Sequence, residues 1–345
     1  MNKKLLVAAV MSTLAASPAA FAAATVYGHL DVGIQSMDND NPAYAGSELF
    51  MGTNYGSGGS LLGFKATEDL GGGLKANAVA ELGMSTDDGT LDNFNSSAAN
   101  KLFQRQIYAG LAGGFGSINA GRQYTEGFLL QSSGSYNSTA GAIGTYFLNT
   151  SIPVRADNFL KYSSPSLGGA TIVVGYGLGE GTTAATEDNK FTEIGVKYAG
   201  GPVRAGVVAE KTTSGTTDLD TIVAGGQWSF GPATVYLTYS QSENDSSPVT
   251  VDLTALALGG KYTIGNGDIV VEVGQRQNDA TAADDDSTLM AVAYYHRLSK
   301  TTILYTAYGT VDNDTAATFG VPRQQVATVG GGSPSALFAG LRVIF

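Results

Sequence analysis

Apolar residues recur at every second position from one end of this chain to the other, and helix-like spacing of three and four is nowhere sustained. In the segment Val26-Tyr27-Gly28-His29-Leu30-Asp31-Val32-Gly33-Ile34-Gln35, one face reads Val26, Gly28, Leu30, Val32, Ile34 and the other Tyr27, His29, Asp31, Gly33, Gln35. The split returns in residues 74–84, where Leu74, Ala76, Ala78, Ala80, Leu82 and Met84 oppose Lys75, Asn77 and Glu81. Residues 203–210 set Val203, Ala205, Val207 and Ala209 against Arg204 and Glu210, and the last residues set Leu337, Ala339, Leu341, Val343 and Phe345 against Arg342. A period of two is the signature of a strand whose faces meet different surroundings, so the chain reads as all-β.

Connections and composition say what those surroundings are. Tight turns, Gly- or Pro-rich except for Leu298-Ser299-Lys300, fall at 71–73, 113–116, 164–169, 200–202, 230–232, 264–267 and 298–300. Between them lie polar stretches rich in Asp, Asn, Ser, Thr and Gly, at 37–59, 85–100, 125–154, 180–189, 279–286 and 312–334. Short turns at one end and long loops at the other describe a transmembrane antiparallel barrel, of about sixteen strands of about 10 residues each. An even strand count puts both termini on the short-turn, periplasmic side. Only 14% of the residues are charged, against about 25% in a soluble domain, too few to cover a water-facing surface. Trp228, Phe230, Tyr262, Tyr295 and Phe345 fall near the short-turn ends, where an interfacial aromatic girdle belongs.

Residues 1–22 carry Lys3 and Lys4, a short apolar run from Leu5 and the small-x-small end Ala20-Phe21-Ala22, the layout of a cleaved signal peptide. The run is shorter than the roughly 20 residues of a spanning helix, so the expected division is a signal at 1–22 and one barrel domain at 23–345. Loss of the two signal lysines leaves 19 − 2 = 17 basic residues against 30 acids, a net −13, which does not suit a nucleic-acid partner. There is no Cys, so no disulfide holds the fold together, although export leads to an oxidising compartment.

Several motifs in order carry a family resemblance: Leu61-Leu62-Gly63-Phe64-Lys65-Ala66-Thr67-Glu68-Asp69-Leu70-Gly71-Gly72-Gly73, Arg105-Gln106-Ile107-Tyr108-Ala109-Gly110-Leu111, Phe115-Gly116-Ser117-Ile118-Asn119-Ala120-Gly121-Arg122, Arg155-Ala156-Asp157-Asn158, His296-Arg297-Leu298-Ser299-Lys300 and the closing Gly340-Leu341-Arg342-Val343-Ile344-Phe345. Together they resemble the general diffusion porins of Gram-negative bacteria, especially the proteobacterial branch of Comamonas and Bordetella. The resemblance implies a sixteen-stranded outer-membrane barrel, homotrimeric, whose third long loop, here 125–154, folds inward and narrows a water-filled channel for ions and small hydrophilic solutes. It also implies an aromatic terminus, Phe345, read by the barrel-assembly machinery as the barrel enters outer-membrane lipid.

In such porins, loop acids face a ladder of wall arginines. Carried over, Arg105 and Arg155 are pore arginines, alternation adds Lys65 and Lys161 as lumen-facing cations, and Asp157 shares the face of Arg155. Arg122 and Glu126, the single charge of the loop before Arg155, complete the constriction set. The match is incomplete, since the family's arginine before Gly-Phe-Lys is Leu61 here and the loop lacks a Pro-Glu-Phe segment. Strict alternation through Ile107, Ala109 and Leu111 places Arg105 on their face, whereas the resemblance places it in the pore. Following the resemblance puts Tyr108 on the lipid side and Ala109 in the lumen. With an acidic mouth and few near cations, weak cation preference is expected.

Other chemistries find little support. His29 and His296 are the only histidines, with no Cys, so a Cys/His zinc site is excluded. A hydrolase would require a G-x-S-x-G turn or a similar nucleophile beside one imidazole, and none accompanies them. Gly113-Gly114-Phe115-Gly116 precedes a strand pattern, not a helix, and is a turn. Asp38-Asn39-Asp40-Asn41 and Asp284-Asp285-Asp286 are the conceivable weak Ca2+ positions, yet neither has EF-hand spacing. No cofactor is expected. A solute-specific outer-membrane channel stays open as an alternative, while an adhesin or purely structural barrel lacks the plug or appended domain it would need.

Overall fold

A computed structural model describes residues 23–41, 48–52, 59–91, 101–134, 152–179, 188–246, 250–280, 285–321 and 328–345. The proposed signal peptide lies outside them. The first strands are β1 (Ala23–Asp38), β2 (Glu48–Gly52), β3 (Ser60–Gly71), β4 (Leu74–Met84), β5 (Gln106–Gly113) and β6 (Gly116–Tyr124), followed by a helix, α1 (Glu126–Gly134). Then come β7 (Arg155–Ser163), β8 (Ala170–Gly177), β9 (Asp188–Gly200), β10 (Val203–Ser214), β11 (Thr217–Phe230) and β12 (Ala233–Asn244). The last five are β13 (Asp252–Ile264), β14 (Gly267–Asn278), β15 (Ser287–Arg297), β16 (Thr302–Asn313) and β17 (Ser335–Ile344).

All seventeen strands join one antiparallel sheet, and β17 pairs back onto β1 from His29↔Ile344 to Asp38↔Ser335, which closes it. The other side of β1 meets two strands, Ala23–His29 lying against β3 and Gly33–Met37 against β2. β2 and β3 thus share one stave, and 17 − 1 gives the sixteen-stranded barrel expected. The seven short-turn connections fall where the sequence pattern placed them. Two connections on the opposite side differ from the reading of the sequence. The stretch 37–59 is not one loop, because Glu48–Gly52 returns to the sheet before β3. Between β10 and β11 the chain turns within Ser214–Thr217, since Gly215 takes a positive φ of 60° and permits a tight hairpin.

The two faces are inverted relative to a water-soluble protein. Val26 (57% exposed), Ile194 (59%) and Met290 (58%) point outward, while Asp31, Gln35, Glu81, Thr238 and Ser240 are buried inside. An apolar exterior around a polar interior is the arrangement of a barrel wall in lipid. No helix among the described residues is long and apolar enough to cross a membrane, and a closed barrel satisfies its backbone groups without one. Trp228, Phe230, Tyr262 and Phe345 are exposed near the short-turn rim. The girdle residue of β15 is Tyr294; Tyr295, expected there, turns inward and is buried, because the alternation reaches the rim one residue out of step.

The closing seam is built around one buried aspartate. Arg342, directly opposite Asp31, donates Nε (2.9 Å) and Nη2 (2.7 Å) to Asp31 Oδ2, and Tyr305 donates its hydroxyl to Oδ1 at 2.5 Å. Tyr305 reaches that far because Gly33 and Gly340 face each other across the seam; a Cβ on Gly340 would lie 2.3 Å from the phenol oxygen. The terminal residue continues the zipper, Phe345 N–H donating to Gly28 O and Gly28 N–H to Phe345 O, both at 3.0 Å.

Breaking a buried ion pair by removing one partner costs about 3–5 kcal/mol. Arg342→Leu is therefore expected to unfold the barrel at a lower temperature than the parent, read as the loss of heat-modifiable mobility on semi-native gels. An unchanged transition would show that the seam does not depend on this pair.

Candidate functional site: the narrowed lumen

The chain leaves β6 and, instead of projecting outward, turns into the barrel. Thr125 starts α1: its carbonyl accepts Leu129 N–H at 3.2 Å and its hydroxyl accepts Phe128 N–H at 3.2 Å, a helix cap. The next two amides meet carboxylates from the wall. Glu126 N–H donates to Glu193 Oε2 and Gly127 N–H to Glu210 Oε1, each at 2.7 Å. Glu193 and Glu210 stand directly opposite each other on β9 and β10, 3% and 4% exposed. Paired like charges repel, and a helix N-terminus supplies both the amide donors and the partial positive charge that offset this. Gly127 leaves room for this approach, since a Cβ would lie 2.4 Å from the Glu210 carboxylate and make it shift.

Charge and packing fix the rest of the helix. Glu126 accepts from Lys161 Nζ at 3.1 Å and Lys197 Nζ at 2.6 Å, and Lys161 also donates to Tyr124 O at 2.8 Å. Leu130 packs with Ile152, Val208 and Val223, with Phe128 at the edge of that cluster. Phe128 stacks on Tyr124 with centroids 5.4 Å apart. Burial alone would raise the Glu126 carboxyl, but the two ammonium groups outweigh it and hold it below the ordinary value of 4.5.

Beside the helix, cations gather on the inner arc from β3 to β7. Arg105 and Arg155 each donate an Nη2 to the Tyr124 hydroxyl at 2.8 Å, and Arg155 lies over the Tyr124 ring at 4.4 Å. Arg105 Nε is 3.5 Å from Glu81, which also accepts from Tyr27 (2.7 Å) and Gln106 (3.1 Å). Lys65 sits over the Tyr27 ring at 5.3 Å. Lys65, Arg105, Arg155 and Lys161 thus lie along one arc. Arg105 reaches it from a bend before β5 begins, outside the alternation. The accompanying expectation fails, since Ile107 and Ala109 are exposed outward and Tyr108 lies near Glu81.

Arg122 and Asp157 are brought together elsewhere. Arg122 stands opposite the outward Ile107 and pairs with Asp157 at 2.6 Å, which Lys101 joins at 2.7 Å. Asn158, with φ of 50°, and the register break between Gly121 and Gln123 separate Asp157 from the run of Arg155. The Asp38–Asn41 turn uses its oxygens internally, Asp38 Oδ1 accepting Asp40 N–H at 3.0 Å and Asn39 Oδ1 accepting Asn41 N–H at 2.9 Å. Asp285 accepts from Asn278 at 2.7 Å, and Asp284 is outside the described residues. His29 Nε2 lies 2.6 Å from Gly59 O.

A second constriction was not foreseen. The last loop turns inward after β16: Val321 is buried against Leu289, Val311 and Phe338, with Phe319 packed on the same cluster and the Arg276 guanidinium 4.5 Å above its ring. Asn313 pins the loop, donating to Phe319 O (2.9 Å) and Gly332 O (2.7 Å). The lumen is thereby narrowed from two sides.

A polar, water-accessible channel through a closed barrel with an inward third loop matches what comparisons with known proteins show. Residues 7–316 match the model of the Gram-negative porin family. The chain belongs to that family. It is 32% identical over 364 residues to outer membrane porin protein 32 of Delftia acidovorans, covering 99% of this chain and 100% of the relative. Against an outer membrane porin protein of Bordetella pertussis, identity is 26% over 277 residues and 70% of each chain. Among solved structures it is similar to the anion-selective porin from Comamonas acidovorans, at TM-score 0.76 and 26% identity, covering 94% of this chain and 100% of the other. OmpT of Vibrio cholerae shares the fold at TM-score 0.67 and 17% identity, over 96% and 99%. This porin is an outer-membrane channel for passive diffusion.

Because the Glu126 carboxyl is held below its unfolded value, its ion pairs stabilise the inward helix above that value and are lost as pH falls through the lower folded one. Conductance of the porin is therefore expected to change as the pH falls below 4.5, with Glu126→Gln lacking part of that change. Identical acid profiles for variant and parent would exclude Glu126 as the titrating group.

Proposed function

We propose that this porin is a general diffusion channel whose constriction favours small anions, that it works as a homotrimer and carries no catalytic activity. The convergence of Arg105 and Arg155 on one tyrosine hydroxyl carries the reading. Among the described residues Arg105 pairs with Glu81, and Lys65 stands nearby over Tyr27. The loop acid that was expected to oppose them, Glu126, is spent on Lys161 and Lys197, so the constriction carries surplus positive charge. Acids at the mouth act on the constriction only within the Debye length of about 8 Å at physiological salt, whereas the near cations act in a narrow, partly desolvated passage. This reverses the weak cation preference that charge counting suggests, and it agrees with the name of the anion-selective Comamonas relative.

The remaining parts of the reading concern export and assembly. Residues 1–22 are the export signal, and Phe345 is the terminal residue by which the assembly machinery recognises the barrel; its aromatic ring is exposed at the outer rim of the seam, accessible to a partner before closure. The outer surface of the first strands, Ala66, Ala78, Ala80, Ala109 and Ala120 around Phe64 and Ile107, forms a shallow apolar depression where a neighbouring barrel wall approaches closely. One structure of Vibrio OmpT is of a trimer form.

In planar bilayers under a salt gradient, the parent is expected to show anion preference, and Arg155→Ala to move the reversal potential toward cations, most clearly at low salt. Coincident reversal potentials at low and high salt would remove Arg155 from the constriction. Purified protein is expected to run as a detergent-resistant trimer that dissociates only on heating, and deletion of Phe345 to lower its outer-membrane amount without altering export. A monomer on crosslinking, or normal amounts of the truncated protein, would refute the respective part.

A further inference from the structure

On the short-turn side of α1, between the helix and strands β9 to β11, the lumen wall opens into a cavity of about 390 Å³ whose lining includes Leu129, Leu130, Lys197, Arg204, Gln227 and the lysine-paired Glu126. Its cationic end follows from strand register. Lys197 stands opposite Gly206 and Arg204 opposite Ala199, so both cations point into the lumen on one face of the β9–β10 pair, two positions apart, about 7–8 Å on the diagonal. Each has a small residue across from it, which leaves the space above the wall open. Lys197 is half committed, holding Glu126 at 2.6 Å while its side chain stays 38% exposed. The Arg204 side chain makes no hydrogen bond or ion pair with any described residue and is exposed.

The other end is apolar. Leu130 is buried in the wall, but Leu129 is 37% exposed on the helix, an unshielded aliphatic group facing an aqueous passage. A bare chloride gains nothing from such a group, whereas a solute with a hydrocarbon body removes apolar area from water there. A guanidinium without a partner is a fork suited to a carboxylate.

We propose that this cavity is a binding step in the permeation path for small organic anions, the carboxylate on Arg204 and Lys197 and a short aliphatic body against Leu129. The assignment rests on the channel reading above and adds a solute class to it. Occupancy retards the anion on the short-turn side of the constriction and excludes chloride from the same space, so such solutes both permeate and obstruct.

The test is the chloride current of single trimers in potassium chloride with n-butyrate added, formate serving as the chain-less control. Butyrate is expected to reduce the current at lower concentration than formate. Arg204→Gln is expected to raise the half-blocking concentration of butyrate about tenfold, equivalent to about 1.4 kcal/mol, and Arg204→Lys less than that. Leu129→Ser is expected to weaken butyrate while leaving formate unaffected. Equal block by butyrate and formate, or an Arg204→Gln variant blocked like the parent, overturns the site. A parent that passes no current at all overturns the channel reading itself, so the two failures are distinguishable.

Discussion

In hydrocarbon no water is available to pair a backbone N–H or C=O, and each group left unpaired costs several kcal/mol. A sheet that crosses a bilayer must therefore have no edge, and here everything depends on the joining of β1 to β17. Those strands lie at opposite ends of the sequence, so the contact is the least local in the molecule and carries the largest loop-closure cost. Its chemistry is suited to specifying register. A one-residue slip would separate Asp31 from Arg342, push Tyr305 against a side chain where Gly340 now gives it room, and turn the apolar face of β17 inward. The ion pair contributes specificity more surely than net stability.

Once the ring is closed, the interior becomes a polar surface on which loops are folded. The start of the third loop is held by charge, because it lands where two buried carboxylates, Glu193 and Glu210, directly oppose each other. The helix N-terminus answers their repulsion, and Glu126 answers Lys161 and Lys197 in turn. Each charge behind α1 thus has an opposite within reach, and the cations left over lie on the neighbouring arc, along the solute path.

Much of this was legible in the sequence, and for a physical reason: a residue in a barrel wall has two possible environments, and period two reports which one. Glycine turns marked the short rim, so strand number, the inward Lys65 and Lys161, and the opposition of Arg204 and Glu210 to their apolar neighbours could be read directly. Alternation alone misleads where the backbone leaves the strand. Arg105 sits in a bend, Asp157 beside a bulge with Asn158 at positive φ, and β2 returns to the sheet from within a polar stretch. In each place the two-residue count slips, and nothing in residue type announces it. The carboxylate pair escaped notice because pairing across strands is a matter of register, which one strand's sequence does not contain. The inward last loop was hidden for a similar reason, since Phe319 and Val321 are isolated apolar residues in a long polar connection.

The two segments that narrow the lumen are fastened by unlike forces, and this gives the pore two jaws with separate responses to its surroundings. The jaw formed by α1 joins ion pairs at its N-terminus to the apolar packing of Leu130, so acid and added salt loosen its charged end, salt to the degree that its groups are solvated. The jaw formed by Phe319 and Val321 against Leu289 and Phe338 is apolar; kosmotropic salts tighten such contacts and cooling weakens them. Cold brine would loosen the charged contacts of the first and the apolar contacts of the second, whereas a rise in a kosmotropic salt alone would loosen the former and tighten the latter. The two segments that narrow the lumen thus answer differently to the medium outside the cell.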